Sequence, residues 1–146
     1  MSVLKARRTV SKAEYINKAI EIYHRTLNLL SRLSSRYARL LAPPVMTLAT
    51  EVVSYCEKAN SIYPNNEDRT RLRNEHLLNA RASLAALDVQ LANVFSICML
   101  NPQGCFTTGN NKTMASDKAL EKLSNFAQDC GELIDEEKNI LTSLIK

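Results

Sequence analysis

Arg25, Arg32 and Arg39 recur at seven-residue intervals within IEIYHRTLNLLSRLSSRYARLL, residues 20 to 41. A row of cations at helical spacing can follow the phosphates of a nucleic acid without reading its bases. Lys18 precedes the three arginines at the same interval, Arg36 lies beside them, and Lys5, Arg7, Arg8 and Lys12 extend the charge through the N-terminal arm. Residues 1 to 41 hold nine Lys or Arg against two Glu, whereas residues 42 to 101 hold five against six and residues 102 to 146 five against seven. RTRLR adds Arg69, Arg71 and Arg73 in the first turns of a later helix, where the helix dipole disfavours cations. A solvated face that merely keeps the chain soluble is the competing reading. On such faces acids intersperse with bases, yet no acid follows Glu21 up to residue 41.

Other chemistry has weaker claims. Cys56, Cys98, Cys105 and Cys130 form no C-x-x-C pair, and His24 and His76 stand apart, so neither a zinc site nor a redox motif is expected and no cofactor is implied. Three of the thiols fall in apolar helical pattern and read as small hydrophobes, leaving Cys105 as the candidate for reactivity. Glu132, Asp135, Glu136 and Glu137 have no E-x-x-H partner and read as a solvated acidic face. Asp88, beside an apolar stripe, reads as half of an ion pair across the fold. No catalytic residue is assigned, and an enzyme is the remotest reading.

The elements that carry these residues are helices. Three glycines, four prolines and no tryptophan in 146 residues predict one all-α domain, an antiparallel up-and-down four-helix bundle with long helices. Ser11 and Glu14 have capping-box spacing, so the first helix is expected to start near Lys12 and to end before Pro43 and Pro44. A second is expected from about Val45 to Asn60. A third follows PNNED, capped by Asn65 or Asn66, and runs to about Leu100. After a long loop at 101–112 a fourth starts near Thr113 or Ser116, with Leu120, Leu123, Ala127, Cys130, Ile134, Glu137, Leu141 and Leu144 on its inner stripe. No uninterrupted run of about 18 apolar residues is present, so a soluble, cytoplasmic chain with no membrane partner is expected.

With Ile20 at heptad position a, the core line of the first helix is Ile16, Ile20, Tyr23, Leu27, Leu30, Ser34, Tyr37 and Leu41. Lys18, Arg25, Arg32 and Arg39 then share position f, pointing away from the core as a ridge about 30 Å long. Tyr15, Ile22 and Leu29 at c, and Ala19, Leu33 and Leu40 at g, widen the apolar arc beyond the stripe one bundle needs. Self-association through Tyr15, Ile22, Leu29, Leu33 and Leu40 is the expected consequence.

MSVLKARRTVSKAEYINKA with Lys5, Arg8, Ser11, Lys12 and Glu14, the RY at Arg36-Tyr37, and Ala59-Asn60 followed by Asp68 and Arg71 resemble the accessory variability determinant proteins of diversity-generating retroelements. These are four-helix bundles related to the proteins of 23S ribosomal RNA intervening sequences. The resemblance covers about residues 1 to 100. It implies a non-catalytic, homopentameric accessory subunit that binds a reverse transcriptase and template RNA, with DNA as a second ligand, in support of mutagenic copying. Lys5, Arg8, Lys12 and the ridge would then carry nucleic acid. The alternative is a helical protein-interaction module that binds no nucleic acid.

Overall fold

Residues 13–101, Cys105 and 116–146 are described in the computed structural model, and four helices carry them: α1 (Glu14–Ser31), α2 (Ser35–Asn60), α3 (Glu67–Leu100) and α4 (Ser116–Leu144). Polar contacts between neighbours set their relative directions. The Tyr15 hydroxyl donates to Asn60 Oδ1 (3.2 Å), Ser83 Oγ to Glu51 Oε2 (3.0 Å), and Arg81 Nε to Thr142 Oγ1 (2.8 Å). Lys18 reaches Glu136 at 2.6 Å, closing α4 back onto α1. The helices therefore run up, down, up and down around a core built from all four, an all-α bundle as expected.

α3 follows its sequence cues closely. Asn66 is the N-cap and accepts from the Arg69 backbone N–H at 2.9 Å, and Leu77, Ala80, Leu84, Leu87, Leu91, Val94 and Cys98 are buried at unbroken three-four spacing. The first helix departs in three ways. Ala13, extended and without a side-chain cap, precedes Glu14 as the N-cap, and Ser11 of the expected capping box lies outside the described residues.

Secondly, α1 ends at Ser31 rather than before Pro43. Arg32 and Leu33 bond back to Leu29 and Leu30, the Ser34 N–H donates to the Cys105 carbonyl at 2.6 Å, and Ser34 is the extended N-cap of α2. Serine competes with helix through its own turn chemistry, and here two adjacent serines mark the break. Pro43 and Pro44 sit inside α2 instead. Lacking N–H groups, they release the carbonyls of Arg39 and Leu40, but all four residues are at least partly exposed, so water can take both.

Thirdly, the buried residues of α1 are Tyr15, Ile16, Ala19, Ile22, Thr26, Leu29 and Leu30, with Leu33 in the turn. These occupy columns c, d and g. Leu27, assigned to the core line, is 46% exposed. The inner face is turned by roughly 80° from the expected one, and the arc that suggested subunit contacts is the core of the single chain. Of the five residues expected there, only Leu40 is exposed, at 70%.

On α4 the inner stripe is as expected except at Leu120, only partly buried while Ala119 beside it is fully buried, and at Ala127, which is exposed. Beside it a hollow of about 210 Å³ opens between α3 and α4, lined by Leu91, Phe95, Phe126, Cys130 and Ile134. Gly131 borders it, and a Cβ built there meets nothing within 4 Å. Gly131→Ala should therefore stabilise by about 0.5–1 kcal/mol through helix propensity alone. That gain would raise the melting temperature by about 1–4 °C in thermal unfolding.

Candidate nucleic-acid interface

The rotation of α1 changes what its cations do. At roughly 100° from the true core line, position f flanks α4 rather than pointing away from the bundle. Lys18 is paired with Glu136, an interaction that raises its pKa, and its side chain is only 19% exposed. Arg25 reaches Glu21 at 3.2 Å and Asp129 at 3.8 Å. Two members of the ridge are thus partly neutralised within the chain. Arg32 is the C-cap of α1 and its Nε contacts Asn28 Oδ1 at 3.4 Å. Arg36 and Arg39, in the first turns of α2, are exposed.

Arg69, Arg71 and Arg73 lie at the other end of the bundle, separated from the α1–α2 turn by most of the length of α3, about 50 Å. Arg71 pairs with Asp68 at 2.8 Å. Arg73 stands beside the Tyr15 hydroxyl, whose pKa is raised by burial and partly lowered by that guanidinium. These three form no surface with the ridge. Lys5, Arg7, Arg8 and Lys12 lie outside the described residues, as does most of the loop at 101–112.

What the fold does gather is a cleft of about 290 Å³ between the last turns of α1 and the first turns of α4. Arg25, Arg32 and Lys122 supply three cations against the single carboxylate of Asp129. Asn28 and Asn125 supply amides that both donate and accept, and buried Leu29 with half-buried Phe126 forms an apolar floor. Cations for phosphate, amides for base edges and an aromatic face for stacking suit a single-stranded nucleotide chain. Arg36 and Arg39 stand just beyond the turn. Further along α4 the exposed Glu132, Asp135 and Glu136 would repel phosphate.

Lys122, Asn125 and Phe126 do not stand out in a sequence whose fourth helix is acidic overall, and sequence reasoning passed over them. Their signal is local: Lys122, Asn125 and Asp129 recur at three-four spacing, one flank of a helix. Two further expectations change. Glu137 does not join its acidic neighbours on the surface. It is fully buried with neither carboxylate oxygen in a hydrogen bond among the described residues, and burial pushes its pKa up to about 8. Cys105 is buried, its Sγ set 3.9 Å from the Ile97 carbonyl, and desolvation raises its pKa, which makes it a poor nucleophile. Cys98 and Cys130 are pushed up to about 12 and about 11 by burial. Asp88 forms the expected ion pair, with Lys138 at 2.8 Å.

Comparison with protein-family models, with characterised proteins and with solved structures finds no match for this chain.

Proposed function

We propose that the chain is a non-catalytic nucleic-acid-binding accessory subunit that takes RNA at the α1–α4 end of the bundle. The observation that carries this reading is the convergence of Arg25, Arg32 and Lys122 with Asn28, Asn125 and Phe126 in one cleft, while exposed Arg36 and Arg39 follow in the first turns of α2. Cations gathered along one cleft are what a phosphate chain requires, and a stacking floor adds affinity for unpaired bases. The resemblance to the retroelement accessory proteins supplies the rest of the proposal: a reverse transcriptase as protein partner and template RNA as ligand, serving mutagenic copying.

The test is binding of the purified protein to unpaired and structured RNA across a salt series, with its mass measured by light scattering in the same buffers. Affinity should fall by roughly tenfold or more between about 50 and 200 mM salt if three or more phosphates are contacted. Absence of binding at low salt would overturn the proposal. It would favour the alternative, a protein-interaction module whose cations meet carboxylates as Lys18 already meets Glu136.

A further inference from the structure

Protein interiors leave few voids larger than a water molecule, yet the hollow between α3 and α4 measures about 210 Å³. That exceeds the roughly 150 Å³ of an engineered cavity that admits benzene, so there is room for a flat base. Leu91 and Ile134 make apolar walls, and Phe95 and Phe126 bring an aromatic ring from each helix. Ala92 and Ala127, small and exposed, leave the mouth open. One polar group lines it. Asp88 Oδ2 accepts from Lys138 Nζ at 2.8 Å, while Oδ1 has no hydrogen-bond partner among the described residues. Phe126 also lines the cationic cleft, so one ring borders both spaces. Around the outside of α4, Ser124, Ala127 and Gln128 lie between them, exposed and uncharged. The helix with its side chains is about 10–12 Å across, a width that a few linked nucleotides span.

We propose that this hollow takes a guanine base of the RNA chain whose phosphates lie in the cleft, an inference that rests on the RNA-binding reading. The aromatic rings and apolar walls suit the faces of a base, and Asp88 selects which base. A carboxylate is an acceptor only, and its two oxygens take two parallel N–H bonds. Guanine alone among the RNA bases presents two adjacent donors on its Watson–Crick edge, N1–H and the N2 amino group. Adenine and cytosine set an acceptor nitrogen beside their amino group, and uracil flanks its N–H with carbonyls. Those lone pairs would face the carboxylate and be repelled. Lys138 balances the charge of Asp88, so the pair does not drive off the phosphates that pass beside it.

The test is fluorescence anisotropy with an oligouridylate of about ten nucleotides, and with the same chain carrying one central guanosine, adenosine or inosine. Guanosine should raise affinity by about 5- to 150-fold over uridine, the discrimination of a good bidentate pair. Inosine, which lacks the N2 amino group, should fall between guanosine and adenosine. Asp88→Asn should bring the ratio of guanosine to adenosine affinity close to unity. Gly131→Met should do the same by filling the hollow from its border, where an added Cβ meets nothing within 4 Å. Neither change touches the cleft, and circular dichroism checks folding. Place is read by 6-thioguanosine at the central position, which should cross-link on irradiation to the peptides that contain Phe95 or Phe126. Equal binding of all four oligonucleotides would overturn this inference and leave the RNA reading standing, whereas binding of none would remove both. Guanosine monophosphate that competes as well as the oligonucleotide would also overturn it, because the occupant would then be a free nucleotide.

Discussion

Replacing Glu137 by methionine should stabilise the bundle at pH 8 by about 3–5 kcal/mol and remove a pH dependence that the wild-type chain shows between pH 4.5 and 8. Unfolded, this carboxyl titrates near 4.5; folded, it holds its proton up to about 8 because burial disfavours the charge. The Lys18 ammonium pulls the other way, Glu14 adds repulsion, and the Cys56 thiol faces it from α2, itself raised by burial. Within that window the folded chain binds the proton and the unfolded chain does not. Each unit of rising pH therefore costs up to about 1.4 kcal/mol of stability, fully retained below about 4.5 and lost by about 8. Methionine matches the side chain in length and has no group to desolvate or to leave unpaired. Denaturant midpoints at about pH 5, 6.5 and 8 would check this, and parallel curves for the two proteins would sink it.

Glu137 also shows where sequence reasoning works and where it stops. Its position on the inner stripe of α4 was legible from spacing with Cys130, Ile134 and Leu141, while its residue type argued for solvent. Packing decided in favour of spacing. α3 was legible end to end because an asparagine cap and one unbroken apolar column agree. α1 was not, since its a, c, d and g columns are all apolar and three-four periodicity cannot choose among them. The choice is made by packing against the other helices, with Glu136 and Asp129 of α4 meeting Lys18 and Arg25 across the seam, and such partners, far away along the chain, leave no local trace. The boundary near residue 33 was hidden for a related reason. Ser34 fits the heptad, but its N–H is held by the Cys105 carbonyl, a contact made by the fold. The number of helices survived because moving that boundary lengthens α2 at the expense of α1.

The same seam divides the cations into two classes, and RNA binding should respect the division. Arg32, Arg36 and Arg39 surround the turn, and Arg36 and Arg39 are exposed with no carboxylate partner among the described residues. Joint replacement of the three by glutamine should weaken binding to unpaired RNA by about 10- to 100-fold at low salt. It should also reduce the slope of log affinity against log salt by about 2, near 0.7 for each single-strand phosphate that is no longer neutralised. Lys18→Gln should leave RNA binding nearly unchanged, because Lys18 is largely buried against Glu136. Asp129→Asn should act in the opposite direction. It removes the one carboxylate in the cleft and frees Arg25 from its contact at 3.8 Å, so affinity should rise severalfold without a change in fold. Fluorescence anisotropy across salt, with circular dichroism as the folding control, separates the three variants. Equal losses from Lys18→Gln and from the arginine triple would mean that binding follows net charge alone and that the cleft has no special place in it.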